Sequence, residues 1–146
     1  TQAKTLFPYT TLFRSFSILG SQMIKDHLTK YPKAIWIHFY KDRMCLMQND
    51  GAVKSIEIPQ IPYNHPRMIL ADFESAATTL KALMKHHSKG LSFFKLTAPI
   101  AIVQIMEPIQ GSLAKIEIRA FKELFFDTGA REVKLYDIDG NPIESE

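Results

Sequence analysis

The sequence is poor in the residues that staple, cage or cradle. It has one cysteine, one tryptophan and six glycines in 146 residues. A single cysteine, Cys45, excludes an intramolecular disulfide and a cysteine-based zinc cage. That usage fits a reducing compartment. Six glycines and eight prolines are too few for a low-complexity chain. No apolar run approaches the roughly 18 residues of a membrane-spanning helix. The longest, from Ala98 to Met106, is interrupted by Gln104. Neither a glycine-rich phosphate loop nor a Ser/His/Asp arrangement is visible. What is present is ordinary globular material. Apolar residues make up 46% and charged residues 23%, which excludes wholesale disorder. The length suits one domain and is too short for two full ones.

Charge depends on how the N-terminal residues are read. Thr5 to Ser15 runs Thr-Leu-Phe-Pro-Tyr-Thr-Thr-Leu-Phe-Arg-Ser. This string resembles a translated sequencing adapter, and residues 1–15 are therefore set apart as a non-native tail. They have neither the apolar core nor the small-residue cleavage site of a signal peptide. The formal charge of the whole chain is +3; without Lys4 and Arg14 there remain 16 basic and 15 acidic residues, net +1. A charge so close to neutral argues against a nucleic-acid partner.

Residues 16–33 form an amphipathic segment. Phe16, Leu19, Met23, Ile24, Leu28 and Tyr31 recur at roughly helical spacing, and Pro32 ends the pattern. Residues 34–146 read as a single domain. Three strands come first: Ala34 to Tyr40, Arg43 to Gln48, and Val53 to Ile58, the last alternating as a half-exposed strand does. Asn49-Asp50-Gly51 supplies the tight turn between the last two. Pro59 to Arg67, with three prolines, is a connection. Asp72 stands where a helix N-cap belongs. Phe73, Ala76, Ala77, Leu80, Leu83, Met84 and His87 then repeat at three- and four-residue spacing, and Gly90 closes the helix. Pro99 to Met106 is a continuous apolar run, as in a central strand covered on both faces. Gly111-Ser112 is expected to open a second helix with Leu113, Ile116, Ala120, Phe121, Leu124 and Phe125 on its apolar side. Gly129 stops it. Arg131 to Tyr136 is a last short strand, and Asp139-Gly140-Asn141-Pro142 is a turn. The expected core contains Ile35, Ile37, Leu80, Leu83, Ile100, Ile102, Leu124 and Val133.

The order is β-β-β-α-β-α-β with a mixed sheet and an N-terminal helix. A meander followed by right-handed crossovers is the layout of the α/β ribonuclease H-like fold. Nucleases, sugar kinases and actin-like ATPases share that fold, so it leaves function open.

Two segments are more specific. His65-Pro-Arg-Met-Ile-Leu-Ala-Asp-Phe73 leads into the first long helix. Ile116-Glu-Ile-Arg-Ala-Phe-Lys-Glu-Leu124, followed by Gly129-Ala-Arg-Glu-Val133, covers the second helix and the next strand. Both resemble MreB, the bacterial actin homologue that determines rod shape. There a Val-Ile-Ala-Asp-Phe stretch precedes one helix, and Val-Glu-Arg-Arg-Ala followed by Gly-Ala-Arg-Glu-Val spans the next helix and strand. The matching residues are Asp72, Phe73, Glu117, Arg119, Ala120, Gly129, Ala130, Arg131, Glu132 and Val133. The resemblance runs from about Tyr63 to Tyr136, with weaker cover over the meander from Ile35. It is closest to short, single-domain MreB-like proteins, and it implies an actin-like subdomain and a role in rod-shape determination. The implied location is the cytoplasm, at the inner membrane face through partners. The implied partners are MreB filaments, cell-wall machinery or the chain itself.

The departures bear on chemistry. MreB has a first phosphate loop after strand one, of the form Asp-Leu-Gly-Thr-Ala-Asn-Thr. The corresponding stretch here is His38-Phe39-Tyr40-Lys41-Asp42-Arg43, without a glycine for close backbone approach and without serine or threonine hydroxyls for phosphate or metal. His38 stands where the family's magnesium-orienting aspartate is expected. The second phosphate loop and adenosine site belong to the other half of an actin-like protein, and the Glu-Glu-Pro-x-Ala-Ala helix after the last strand is missing. Glu117 matches the family glutamate near the hydrolytic water, but lacks a nucleotide to act on. Glu117, Arg119 and Glu123 then read as a solvated helix face. The expectation is no enzyme, no cofactor and no metal.

Other chemistry fares no better. A nuclease of this fold gathers carboxylates around two Mg²⁺ ions, and the corresponding positions are His38, Glu74 and Glu107. A histidine breaks that oxygen-ligand set. His86 and His87, adjacent on a helix, diverge by about 100°. Phe93-Phe94 beside Leu91 is an apolar cluster in a loop, either core or contact. Two readings stand: a non-catalytic actin-like module acting by protein contact, and a fragment or degenerate form of an actin-like ATPase. A downstream Asp-x-Gly-Gly-Gly-Thr segment in the source gene favours the second. The polar ending Asn141-Pro-Ile-Glu-Ser-Glu146 favours a natural stop and the first.

Overall fold

A computed structural model of the chain describes residues 22–88, 98–109 and 111–143, side chains of 86–88 excepted. Within them the chain is an α/β domain with an open, mixed, five-stranded sheet. Helix α1 covers 22–30. Strands β1 (Ile35–Phe39), β2 (Met44–Met47) and β3 (Val53–Glu57) form the meander. Helix α2 (Phe73–Ser88), strand β4 (Ile100–Ile105), helix α3 (Lys115–Thr128) and strand β5 (Glu132–Tyr136) follow. The strand order is β3-β2-β1-β4-β5. β1 pairs antiparallel with β2 and parallel with β4, and β4 pairs parallel with β5. The meander is thus joined to a parallel half through β1.

The pleat divides the core in two. Ile35, Ile37 and Phe39 of β1, Met44 and Leu46 of β2, and Ala101, Val103 and Ile105 of β4 turn to one face. There they meet Ala76, Leu80, Leu83 and Met84 of α2 and Ile118, Phe121, Leu124 and Phe125 of α3. The two helices also touch each other. Trp36, Cys45, Met47, Ile102 and Tyr136 turn to the opposite face, where Ile24 and Leu28 of α1 cover them. All six residues of β4 are buried, so its unbroken apolar run is that of a strand enclosed on both sides. All eight expected core residues are buried, but they do not form one core: Ile102 belongs to the α1 side.

Local chemistry explains the helix ends. The Asp72 carboxylate accepts from Ser75 N–H at 2.9 Å, a side-chain N-cap for α2. Gly129 takes φ 115° at the end of α3 and donates its N–H to Phe126 O at 3.0 Å, while Ala130 N–H reaches Phe125 O at 3.1 Å. Two expectations need correction. Gly111-Ser112 does not open the second helix: Gly111 is a turn residue at φ 79°, and the helix starts at Lys115 after Ala114, which offers no side-chain cap. Ile116 is not on its apolar side but 72% exposed, and Ile118 is buried instead. Residues two positions apart on a helix are rotated by about 200°, so burying Ile118 with Phe121 and Leu124 turns Ile116 outward. Expected features at Phe16, Leu19, Gly90, Leu91, Phe93 and Phe94, and the side chains of His86 and His87, lie outside the described residues.

Candidate functional site

Parallel strands that end together leave a crevice beyond their carboxyl ends, the usual ligand position of open α/β sheets. Here the chain leaves β1 at Tyr40-Lys41 and β4 at Met106-Glu107. Met106 N–H still bonds Phe39 O at 2.8 Å, so the two exits are held side by side. Lys41 N–H donates to the Glu107 carboxylate at 2.9 Å and ties one exit to the other. Beyond them lies an open cleft of about 720 Å³. Lys41, His65 and Arg67 bring basic groups to it, Glu107 and Glu117 bring carboxylates, and Ser112 brings a hydroxyl. A second cleft of about 700 Å³ shares Glu107, Ser112 and Leu113 and extends past the end of β5 to Asp137 and Asp139. Asp137 is committed to its own turn, accepting from Asp139 N–H at 3.0 Å and Asn141 N–H at 2.9 Å.

Tyr63 lies just before Asn64 and His65, which line the first cleft. It is fully buried, and its ring lies 5.1 Å from that of Phe39. Its hydroxyl reaches Tyr40 O and, at 2.9 Å, Arg43 O, which pins the β1–β2 turn. Its own carbonyl accepts from Ala71 N–H at 2.7 Å and Asp72 N–H at 2.9 Å. Between these anchors, His65 and Met68 exchange two backbone bonds of 2.8 and 2.9 Å, and Arg67 N–H points to His65 Nδ1 at 3.3 Å. The connection read as a proline-rich link is thus a fixed loop presenting His65 and Arg67. Tyr63 and Lys41 are invisible to periodicity because each acts through a partner distant in sequence, and His65 and Arg67 because they stand in an irregular loop.

The residues matched to MreB separate into three places. Asp72 and Phe73 start α2, and Asp72 is its cap. Glu117, in the first turn of α3, enters the first cleft, whereas Arg119 is exposed and pairs with Glu123 at 3.1 Å, an i,i+4 surface bridge. Arg119 and Glu123 lie on the exposed face of α3, Glu117 is half-buried at the cleft, and Ala120 packs partly against the core. Gly129 to Val133 lie at the opposite end of the sheet. There Arg131 N–H bonds Pro99 O at 3.0 Å, Glu132 pairs with Lys134 at 3.3 Å, and Val133 is buried. That run shapes a turn and a strand entrance, remote from the cleft.

The three nuclease positions do not converge. His38 stands on the α1 face, its ring 5.0 Å from that of Trp36 and 6.4 Å from that of Tyr40. Burial lowers its pKa, against a weaker upward pull from a Gln104 hydrogen bond. Gln104 is itself buried and donates to Ile138 O at 3.1 Å. Glu107 is in the first cleft, and Glu74 lines a separate groove between α2 and residues 57–61. Among the described residues, no three His, Cys, Asp or Glu side chains are grouped to hold a metal ion. Cys45 is buried, and that burial raises its thiol pKa. The β1–β2 turn is closed by the Tyr40 N–H to Arg43 O bond at 2.9 Å, with the Arg43 guanidinium 3.8 Å over the Tyr40 ring. Of this turn, Lys41 lines the first cleft, where its backbone N–H meets Glu107. No helix among the described residues is long and apolar enough to cross a membrane. Comparison with protein-family models and with curated proteins finds no match to this chain.

Proposed function

We propose that the chain is a non-catalytic MreB-like module of rod-shape determination, built on a ribonuclease H-like, actin-type subdomain and acting in the cytoplasm through protein contacts. The observation that carries the reading is the match of Glu117 to Ala120 and Gly129 to Val133 to the MreB pattern. It gains support from the strand order β3-β2-β1-β4-β5, with α2 and α3 on one face, which is the layout that resemblance implies. The non-catalytic reading rests on the β1–β2 turn, which has no glycine and no serine or threonine where the family cradles phosphate. Co-sedimentation with polymerised MreB tests the reading: the chain is expected to pellet with filaments and to stay in solution without them. Equal amounts in both supernatants refute it. A second reading, a degenerate actin-like ATPase fragment, is favoured by Glu117 reaching the carboxyl-end cleft. Calorimetric titration with Mg²⁺-ATP separates the two, since the first expects no heat of binding and the second a saturable site.

A further inference from the structure

The sheet ends in two edges, β3 and β5, and the chain treats them differently. The outer edge of β5 is closed by the residues that follow it. Ile143 N–H bonds Leu135 O at 2.8 Å, Asp137 N–H bonds Asn141 O at 2.9 Å, and Pro142 bridges to Tyr136. Among the described residues, strand β3 pairs with β2 alone.

The ladder decides what β3 shows. Because Tyr40 N–H bonds Arg43 O, alternation makes His38–Cys45 a hydrogen-bonded pair and leaves Met44 and Leu46 to bond β3 at Glu57 and Ser55. Ile56, opposite Cys45, therefore turns its N–H and C=O outward. Its side chain shares the α1-side face with Cys45, since opposed residues share a face. Val53, opposite Met47, lies on the same face because the register shift beside Met47 adds one residue, Lys54. Lys54 lines a cleft with Lys33, Gln48 and Asn49. Val53, Ile56 and Ile58 thus form an apolar row, 50%, 53% and 70% exposed. An edge bulge and an edge lysine ordinarily guard against pairing. Here the bulge adds an apolar side chain to the row. The α2 flank beside this edge carries the short side chains Ser75, Thr78 and Ala82 and leaves it open.

We infer that the β3 edge takes a second copy of this chain, with the two β3 strands antiparallel about a two-fold axis at Ile56. A two-fold axis through an antiparallel edge keeps each face of the sheet continuous, so it passes through a residue position, and clear of the bulge at Val53 and Lys54 the strand offers Ser55, Ile56 or Glu57. At Glu57 it sets two carboxylates opposite each other. At Ser55 it brings the two Lys54 residues within one diagonal step. Both are repulsive. At Ile56 the outward N–H and C=O of each copy bond the other, Ile56 meets Ile56, and Ile58 of the partner subunit lies opposite Lys54, with Val53 next to it across the bulge. The contact is isologous and joins both sheets into one. A single strand pair is smaller than a standard interface, so the dimer is weak and fills at high micromolar concentration. The inference rests on edge geometry and not on the MreB-like reading.

Site-directed cross-linking of the full chain tests it. In a hydrogen-bonded antiparallel pair the two Cα atoms at Ile56 are about 5.5 Å apart, within disulfide reach. Under mild oxidation Ile56→Cys is expected to form covalent dimer at least roughly tenfold faster than Glu57→Cys, whose copies lie two residues out of register and beyond about 7 Å. Sedimentation of the unmodified chain is expected to show a concentration-dependent rise in mass that Ile56→Lys abolishes. Equal cross-linking rates, or a monomer at every concentration, overturn the proposal. A monomer that still co-sediments with MreB filaments overturns the dimer alone. A dimer that ignores them overturns only the function proposed above.

Discussion

Tyr63 offers a direct test of how this fold is held. Its hydroxyl serves the carbonyls of Tyr40 and Arg43 at the β1–β2 turn, and its ring fills a site against Phe39. Burial raises the phenol pKa, so the proton needed for donation is kept through neutral pH. Tyr63→Phe keeps the ring and removes the donor. Arg43 O retains its bond from Tyr40 N–H at 2.9 Å, so the loss falls chiefly on Tyr40 O. One buried acceptor left short costs about 1–3 kcal/mol. Tyr63→Ala removes the ring as well and opens a cavity in a fully buried site, for a loss of about 3–5 kcal/mol. At this size each kcal/mol lowers the thermal midpoint by about 4 °C. Urea unfolding followed by the single tryptophan, Trp36, on the opposite face of the sheet, gives both values. The slope with denaturant should stay constant, and helix circular dichroism should trace the same curve. If Tyr63→Phe lies within about 0.5 kcal/mol of the parent while Tyr63→Ala is strongly destabilised, the hydroxyl is not what pins the turn.

Three further outcomes follow from the same structure. Leu83→Ala, in a fully buried α2 site, should lose about 2–5 kcal/mol in urea unfolding. Asp72→Ala should lose about 1 kcal/mol by removing the α2 cap, and Asp72→Asn should restore most of it. Burial holds the folded pKa of His38 below its ordinary 6.5. The unfolded chain then binds more protons, so stability is full above about pH 6.5 and falls as pH drops below it. His27, lowered by burial and then by Lys134 and Lys30, adds to the same trend. His38→Gln should flatten part of the slope between pH 7 and about 5, and an unchanged slope would show that His38 is not its source.

Much of the architecture was legible in the residues themselves. The proline stop after Tyr31, the Asn-Asp-Gly turn, the Asp72 cap and the Gly129 stop are local devices, each satisfied by neighbours within a few residues. The apolar spacing of α2 likewise fixed which side is buried, because a helix repeats its faces every three to four positions. Tertiary contacts decided the rest. Ile116 and Ile118 are equally apolar, and only the position of the sheet beneath α3 buries one and exposes the other. Apolar residues of β1 and β4 alternate between two cores, a division that depends on α1 occupying the second face. The carboxyl-end cleft exists because β1 and β4, whose paired residues are 66 positions apart in sequence, end side by side. Lys41 and Glu107 meet there through one backbone-to-carboxylate bond. Likewise, Tyr63 reaches a turn about 20 residues behind it in the chain. Periodicity reports only a residue's own element, so groups that act across elements come into view only when the chain has folded.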